Sequence, residues 1–400
     1  MKLDKPRRQT VMVIDADGIA ALEKSLSADN GPIAIDAERA SGFRYSQRAY
    51  LIQLSLREQE IFMIDPIQLA ESVPDWTSSL APYINSRTWM LHAATQDLPC
   101  LAELGFVPDA IVDTELAARL AGFERVGLGS LVLELLDIEL AKEHSAADWS
   151  IRPLTEAMLD YGALDVDILH ELWDAIEASL SEQGKLSWAQ QEFDHLLDFK
   201  PKPIPLEPWR NLPGLSKVKD EQKLKLAASL WLTRDAIAQA EDIAPGRLIP
   251  DRSIMAAVEQ KPRSKRELAS NKAFQGRASR TRLEDWWHAV ESANEVQIEE
   301  NPERGNGIPN HRSWEKRFPE AHTRLNTVRP LIAELATELK IPIENVLTPD
   351  YLRRVMFEPQ EDVAGQLAAL GARQWQIELV APVIRDGLSQ AQILLAAQEA

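Results

Sequence analysis

Between Phe199 and Pro213 the chain reads FKPKPIPLEPWRNLP, five prolines in fifteen residues. Proline has no backbone N–H and its ring clashes with the preceding helical turn, so neither a helix nor a central strand can run through this stretch. The 400-residue chain is therefore divided, and a chain of this length has room for two or three units, each with its own core. The expected division is residues 1–198, a linker over 199–219, and two helical units over 220–300 and 301–400.

The two sides of the divide follow different periods. Thr10 to Ile14, Ile33 to Ala37, Ala49 to Leu56 and Glu60 to Ile64 have adjacent or alternating apolar residues between turn-forming segments, the pattern of strands. From Ile67 onward helical spacing takes over. It is interrupted by the short apolar pieces Trp89 to His92 and Ala110 to Asp113, then runs through Leu128 to Leu136 and Thr155 to Leu180. Three opening strands are joined by short loops, so the first unit is expected to be α/β, a mixed sheet flanked by helices. Beyond Lys219 the pattern is all-α.

Composition narrows the setting. Cys100 is the only cysteine, which excludes an internal disulfide and a thiolate zinc cage and fits a reducing compartment. The longest apolar run before Asp15 is Val11 to Ile14, too short for the apolar region of a signal peptide, and no run reaches membrane-spanning length. A cytoplasmic protein without membrane contact is expected. The formal charge of −18 is the opposite of a nucleic-acid footprint, but its distribution is uneven. Lys200 to Asp285 carries 18 Lys and Arg against 11 Asp and Glu. Lys261, Arg263, Lys265, Arg266, Lys272, Arg277, Arg280 and Arg282 share one stretch with a single acid, Glu267. This stretch is either a solvated helix-loop face or a local phosphate-binding patch.

Three acidic motifs lie in order along the first half. With 62 acids in 400 residues, an acid-x-acid triplet arises by chance roughly ten times, so Asp36 and Glu38 gain meaning only from context. They end the apolar run Pro32-Ile-Ala-Ile, and on a strand positions i and i+2 project from one face. Two such carboxylates are costly to bury unless cations neutralise them; otherwise the strand ends there and both are solvated. Asp97, in HAATQD, has two readings, a ligand or a residue favouring the N-terminus of a following helix. Tyr161 and Asp165 are four apart and share a helical face, as would a core-edge tyrosine and an exposed acid. His92, ending an apolar piece, reads as a hydrogen-bonded core-edge residue.

The ordered set, rather than any one motif, resembles the tyrosine-bearing branch of the DEDD family of 3′ to 5′ exonucleases, and most closely the ribonuclease D family. Leu51-Ile-Gln-Leu54, Asp113-Thr114, Asp148-Trp149 and Arg152-Pro153-Leu154 fall between the motifs in family order, over about residues 30 to 175. The resemblance implies a ribonuclease H-like fold, with Asp36, Glu38, Asp97 and Asp165 holding two divalent cations, Mg²⁺ or Mn²⁺, and Tyr161 orienting the attacking water. It further implies hydrolysis of single-stranded RNA 3′ ends, tRNA precursors among them, to nucleoside 5′-monophosphates. One departure is Gln96, where many relatives carry an acid.

Leu224 to Glu241, Pro245, Leu248-Ile-Pro-Asp251 and Arg266-Glu-Leu268 look like the HRDC domain shared by RecQ-type helicases and ribonuclease D, which implies nucleic-acid binding. A weaker second copy is expected from Arg329 to Trp375. The bland reading of both is a plain helical bundle with tryptophans in its core. Two rival functions stay open, a 3′–5′ DNA exonuclease with the same ligands, and a scaffold that binds RNA without cutting it.

Overall fold

The computed structural model describes residues 1–141, 147–274, 276–299 and 307–399. The first half contains, in chain order, β1 (Lys2–Leu3), β2 (Thr10–Val13), α1 (Ala16–Ala28), β3 (Ile33–Arg39), β4 (Ala49–Ser55), β5 (Ile61–Ile64), α2 (Pro66–Ser72), α3 (Trp76–Asn85), β6 (Thr88–Leu91), α4 (Leu98–Ala102), β7 (Ala110–Asp113), α5 (Thr114–Ala121), α6 (Leu128–Leu136), β8 (Glu139–Leu140), α7 (Glu156–Asp167), α8 (Leu169–Glu182) and α9 (Leu186–Leu197). Six strands form a mixed sheet in the order β2-β5-β4-β3-β6-β7, with β4 antiparallel to β3 and β5 and the other pairs parallel. The expected sheet with helices around it is present, and its opening strands fall where the apolar alternation placed them.

Strand periodicity decides what faces what. Ile33, Ile35 and Ala37 pack with Ile19, Leu22, Trp76 and Leu80 of α1 and α3, whereas Ala34 joins the cluster of α5, α7 and α8. Asp36 and Glu38 follow Ala34 in the two-residue period, so their side chains belong to the α7 side. Asp36 pairs across the ladder with Gln53, and the register slips between Glu38 and Arg39, where the strand turns into the following loop.

The helical segment expected over Thr155 to Leu180 is two helices, not one. It breaks at Ile168, and the reason lies 160 residues upstream. Arg7 and Arg8 both bond the backbone oxygen of Asp167, at 2.9 Å each, and both also grip its buried carboxylate. A carbonyl aimed at two guanidinium groups is drawn away from the next helical turn.

Beyond the proline segment the described residues form helices and turns. Trp209, Leu230, Ile254, Val258, Phe274 and Trp286 make one core with the helices Glu221–Glu241, Asp251–Gln260 and Leu283–Glu291. Trp314, Val328, Ile332, Val355 and Ile384, from the helices Pro319–Leu339, Pro349–Phe357 and Gln374–Glu399 and the turn before them, continue the cluster of α5, α7 and α8. Trp188 of α9 stacks on Trp375 with centroids 4.9 Å apart, and the buried Glu192 accepts from Arg373 Nε at 2.7 Å and Trp375 Nε1 at 2.8 Å. Trp286, Trp314 and Trp375 are core, as the bundle reading required, while Trp231 and Trp287 are half-buried. Among the described residues no helix is long and apolar enough to cross a membrane.

Candidate active site

The end of β3, the turn after β6 and α7 converge on a cavity of about 640 Å³. Asp36, Glu38, Asp97, Tyr161 and Asp165 all line it, together with Arg39, Phe43, His92 and Gln96. One carboxylate oxygen each from Asp36, Glu38 and Asp165 lie within 4.8 Å of one another. Asp97 stands beside them, its carboxyl hydrogen-bonded to that of Asp36. Asp97 also stands at the N-terminus of α4, as its other reading had it, but its side chain makes no capping bond there and lines the cavity.

Charge crowding is the dominant electrostatic fact. Burial, with backbone and Arg39 contributions opposing it, pushes Asp36 up to about 6. Burial and then the charges of Asp36, Asp165 and Asp97 push Glu38 up to about 10. Asp97 and Asp165 are also held well above the usual carboxylate range, by burial first and Asp36 second. The Tyr161 phenol is raised too, by burial and the neighbouring carboxylates, so it keeps its proton. Such a cluster is stable either by holding protons or by holding cations.

The supporting residues explain the family-like pieces between the motifs. Asp113 caps α5 and at the same time accepts from Ala93 N at 3.2 Å and Ala94 N at 2.8 Å, fixing the turn that delivers Asp97. Thr114, fully buried, holds His92. Trp149, also buried, packs a tilted ring against Tyr161 at 6.3 Å. Arg152 ties that segment to Tyr50 O at 2.7 Å and to the buried Asp65 through Nε at 2.7 Å. The sequence pattern assigns Gln53, within Leu51-Ile-Gln-Leu54, no role; it is buried on β4, as is Ser55, and a buried polar residue on a strand is the kind of signal that marks a supporting role.

Past Glu38 the loop that carries Ser41, Gly42 and Phe43 along the cavity is fastened to the first helical unit. Asp242 accepts from Tyr45 N at 3.1 Å and Ser46 N at 2.8 Å, and Ala244 N donates to Phe43 O at 3.0 Å. Arg247 donates to Gly42 O at 2.8 Å with its guanidinium 3.9 Å from the Phe43 ring centre.

Of the eight basic residues of the 261–282 stretch, three are paired. Lys261 meets Asp220, Lys265 meets Glu284, and Arg282 meets Glu241. Arg263, Arg266, Lys272, Arg277 and Arg280 are exposed and, among the described residues, have no acidic partner within ion-pair distance.

Known proteins are similar to this chain in sequence and fold. Residues 10–181 match the family model for a 3′–5′ exonuclease, residues 223–290 that for an HRDC domain, and residues 307–388 that for a 3′ to 5′ exonuclease C-terminal domain. Ribonuclease D of Granulibacter bethesdensis is 31% identical over 185 residues, 45% of this chain and 46% of that protein. Over that first region the chain is thus similar to the 3′–5′ exonuclease family and to curated ribonucleases D. The exonuclease unit is accordingly ribonuclease H-like, followed by HRDC-type helices. The match spans about half the length of the first curated relatives. The crystal structure of a protein from Bifidobacterium adolescentis superposes with a TM-score of 0.87 at 34% identity, covering 97% of this chain and 99% of that one. That of Escherichia coli RNase D, an exoribonuclease involved in structured RNA processing, superposes at 0.69 with 24% identity, covering 96% and 99%, a likeness of fold.

Proposed function

We propose that the protein is a metal-dependent 3′ to 5′ exoribonuclease, with Asp36, Glu38, Asp97 and Asp165 as metal ligands and Tyr161 as the residue that orients water. The observation that carries this reading is the approach of the Asp36, Glu38 and Asp165 oxygens within 4.8 Å, with Asp97 bonded to Asp36. An all-oxygen donor set of this kind fits hard divalent cations, Mg²⁺ or Mn²⁺. Two such cations, when bound, supply an activated water and stabilise the attacked phosphodiester and its leaving oxygen.

The chain's own groups do the rest. Without cations the cluster holds protons and offers a phosphate chain no positive charge, so its carboxyls must release those protons to solvent and take up cations before substrate is held. Tyr161 retains its hydroxyl proton and acts as a hydrogen-bonding group on the water, with Trp149 fixing the ring. The five unpaired basic side chains would hold upstream phosphates, which lets an acidic protein engage RNA. The substrates proposed are single-stranded RNA 3′ ends, tRNA precursors among them, released as nucleoside 5′-monophosphates. We divide the chain as 1–198, 199–219, 220–300 and 301–400, the last two being HRDC-type units.

The test is a gel assay of 5′-labelled single-stranded RNA and matching DNA with Mg²⁺, Mn²⁺ or chelator, beside Asp36→Ala and Asp165→Ala. Shortening of RNA from its 3′ end, abolished by chelator and by either substitution, is expected. Cleavage of DNA alone would replace the reading with a DNA exonuclease, and binding without cleavage with a scaffold.

A further inference from the structure

One half-buried ring in the cavity has no part in the acidic cluster. His92 follows β6, and its Nδ1 lies 2.9 Å from Thr114 Oγ1. A hydroxyl has one proton, and that of Thr114 is spent on Leu91 O at 3.1 Å. The arrangement that satisfies both contacts has Thr114 Oγ1 donating to Leu91 O and accepting from His92 Nδ1–H. Burial lowers the imidazole to about 4, so the ring is neutral at physiological pH, and with Nδ1 protonated its Nε2 is a bare acceptor. No hydrogen bond to Nε2 exists among the described residues, although the ring lines the same cavity as the four acids. Nor does His92 fall within the group of oxygen ligands.

We propose that His92 Nε2 accepts a hydrogen bond from a hydroxyl of the 3′-terminal ribose, making His92 a residue that recognises the RNA end. An acceptor repels phosphate oxygens and needs a donor. An enzyme that walks through a chain meets every base, and the donor common to all of them is the sugar hydroxyl. The inference rests on the exoribonuclease reading and adds how the terminal nucleotide is recognised.

The experiment follows first-nucleotide removal, with Mn²⁺, from 5′-labelled RNAs ending in a ribo-, 2′-deoxy- or 3′-deoxynucleotide. His92→Asn keeps an amide near Nδ1 for Thr114 and loses Nε2; His92→Gln places an acceptor near Nε2. Wild type should favour the ribo end over the end lacking the recognised hydroxyl by about tenfold or more in kcat/KM. The two deoxy ends identify which hydroxyl that is. His92→Asn should collapse the ratio toward one and His92→Gln should restore part of it, with melting temperatures near wild type. Wild type indifferent to both deoxy ends, or an unchanged ratio in His92→Asn, would overturn the inference and leave the nuclease reading intact. Dependence on the terminal base instead of the sugar would overturn it equally. A wild type that cuts no RNA would remove the nuclease reading itself.

Discussion

Gly162 of α7 lies against Gln53 of β4 so closely that a methyl group at position 162 would overlap the glutamine amide. Gln53 is the ladder partner of Asp36, and Gly162 sits between Tyr161 and Asp165, so this one contact sets the height of α7 above the acids of β3. Both polar ends of the Gln53 amide are buried with no hydrogen-bond partner among the described residues.

Gly162→Ala must lift α7 or displace Gln53. The expected cost is about 1–3 kcal/mol of stability, as for other overpacked sites. Activity should fall by more than the loss of folded protein accounts for, because Tyr161 and Asp165 move with the helix. Thermal melting and kcat on the same preparation separate the two effects; activity that merely tracks the folded fraction would contradict the account.

The acidic cluster predicts an unusual pH dependence. Asp36 and Glu38 bind their protons more tightly folded than unfolded, so their contribution to metal-free stability is greatest below the ordinary carboxylate range. It falls as pH rises from about 4, through about 6 for Asp36 and on to about 10 for Glu38. Differential scanning calorimetry in chelator should show Tm declining from pH 5 to 9, with Mn²⁺ reversing the decline. Calorimetric titration of Mn²⁺ near pH 7 should release protons, seen as a dependence of the heat on buffer ionisation.

Asp242→Ala removes the acceptor that holds Tyr45 N and Ser46 N. Amide exchange over residues 40–48 should speed up, with the sheet protected as before, and kcat/KM should drop several-fold because Phe43 lines the cavity. Unchanged exchange in this loop would show that the first helical unit does not hold it.

Replacing Arg263, Arg266, Lys272, Arg277 and Arg280 together by Gln should weaken single-stranded RNA binding. It should also flatten the slope of log affinity against log salt by about 0.7 for each phosphate that is no longer neutralised. The same change at Lys261, Lys265 and Arg282, already engaged with acids, should alter the slope less. Fluorescence anisotropy over a salt series measures both.

What could be read from the chain was what local chemistry dictates. That Asp36 and Glu38 share a strand face, and Tyr161 and Asp165 a helix face, was legible from the periods of two and near four; that they belong to one set came from the resemblance. Asp97 had two local readings, and only the turn fixed by Asp113, distant in sequence, turns its carboxyl toward Asp36. The break at Ile168 depends on Arg7 and Arg8, and the seat of the last helices on Glu192 and Trp188, all of them long-range partners that periodicity does not report. Likewise the charge run of residues 261–282 gave no sign of which members are neutralised, since Asp220 and Glu241 come from another helix and its cap.

The central claim, that four carboxylates and a tyrosine make a metal-dependent nuclease acting from the 3′ end, is tested most directly by identifying the first product. A defined single-stranded RNA is incubated with Mg²⁺ or Mn²⁺ and wild-type or Asp165→Asn protein, and the small products are resolved by mass spectrometry. The account predicts the 3′-terminal nucleoside 5′-monophosphate as the first species, with a rate lower by on the order of 10³-fold in the variant. Internal fragments, a nucleoside 3′-phosphate, or equal rates in chelator would contradict it.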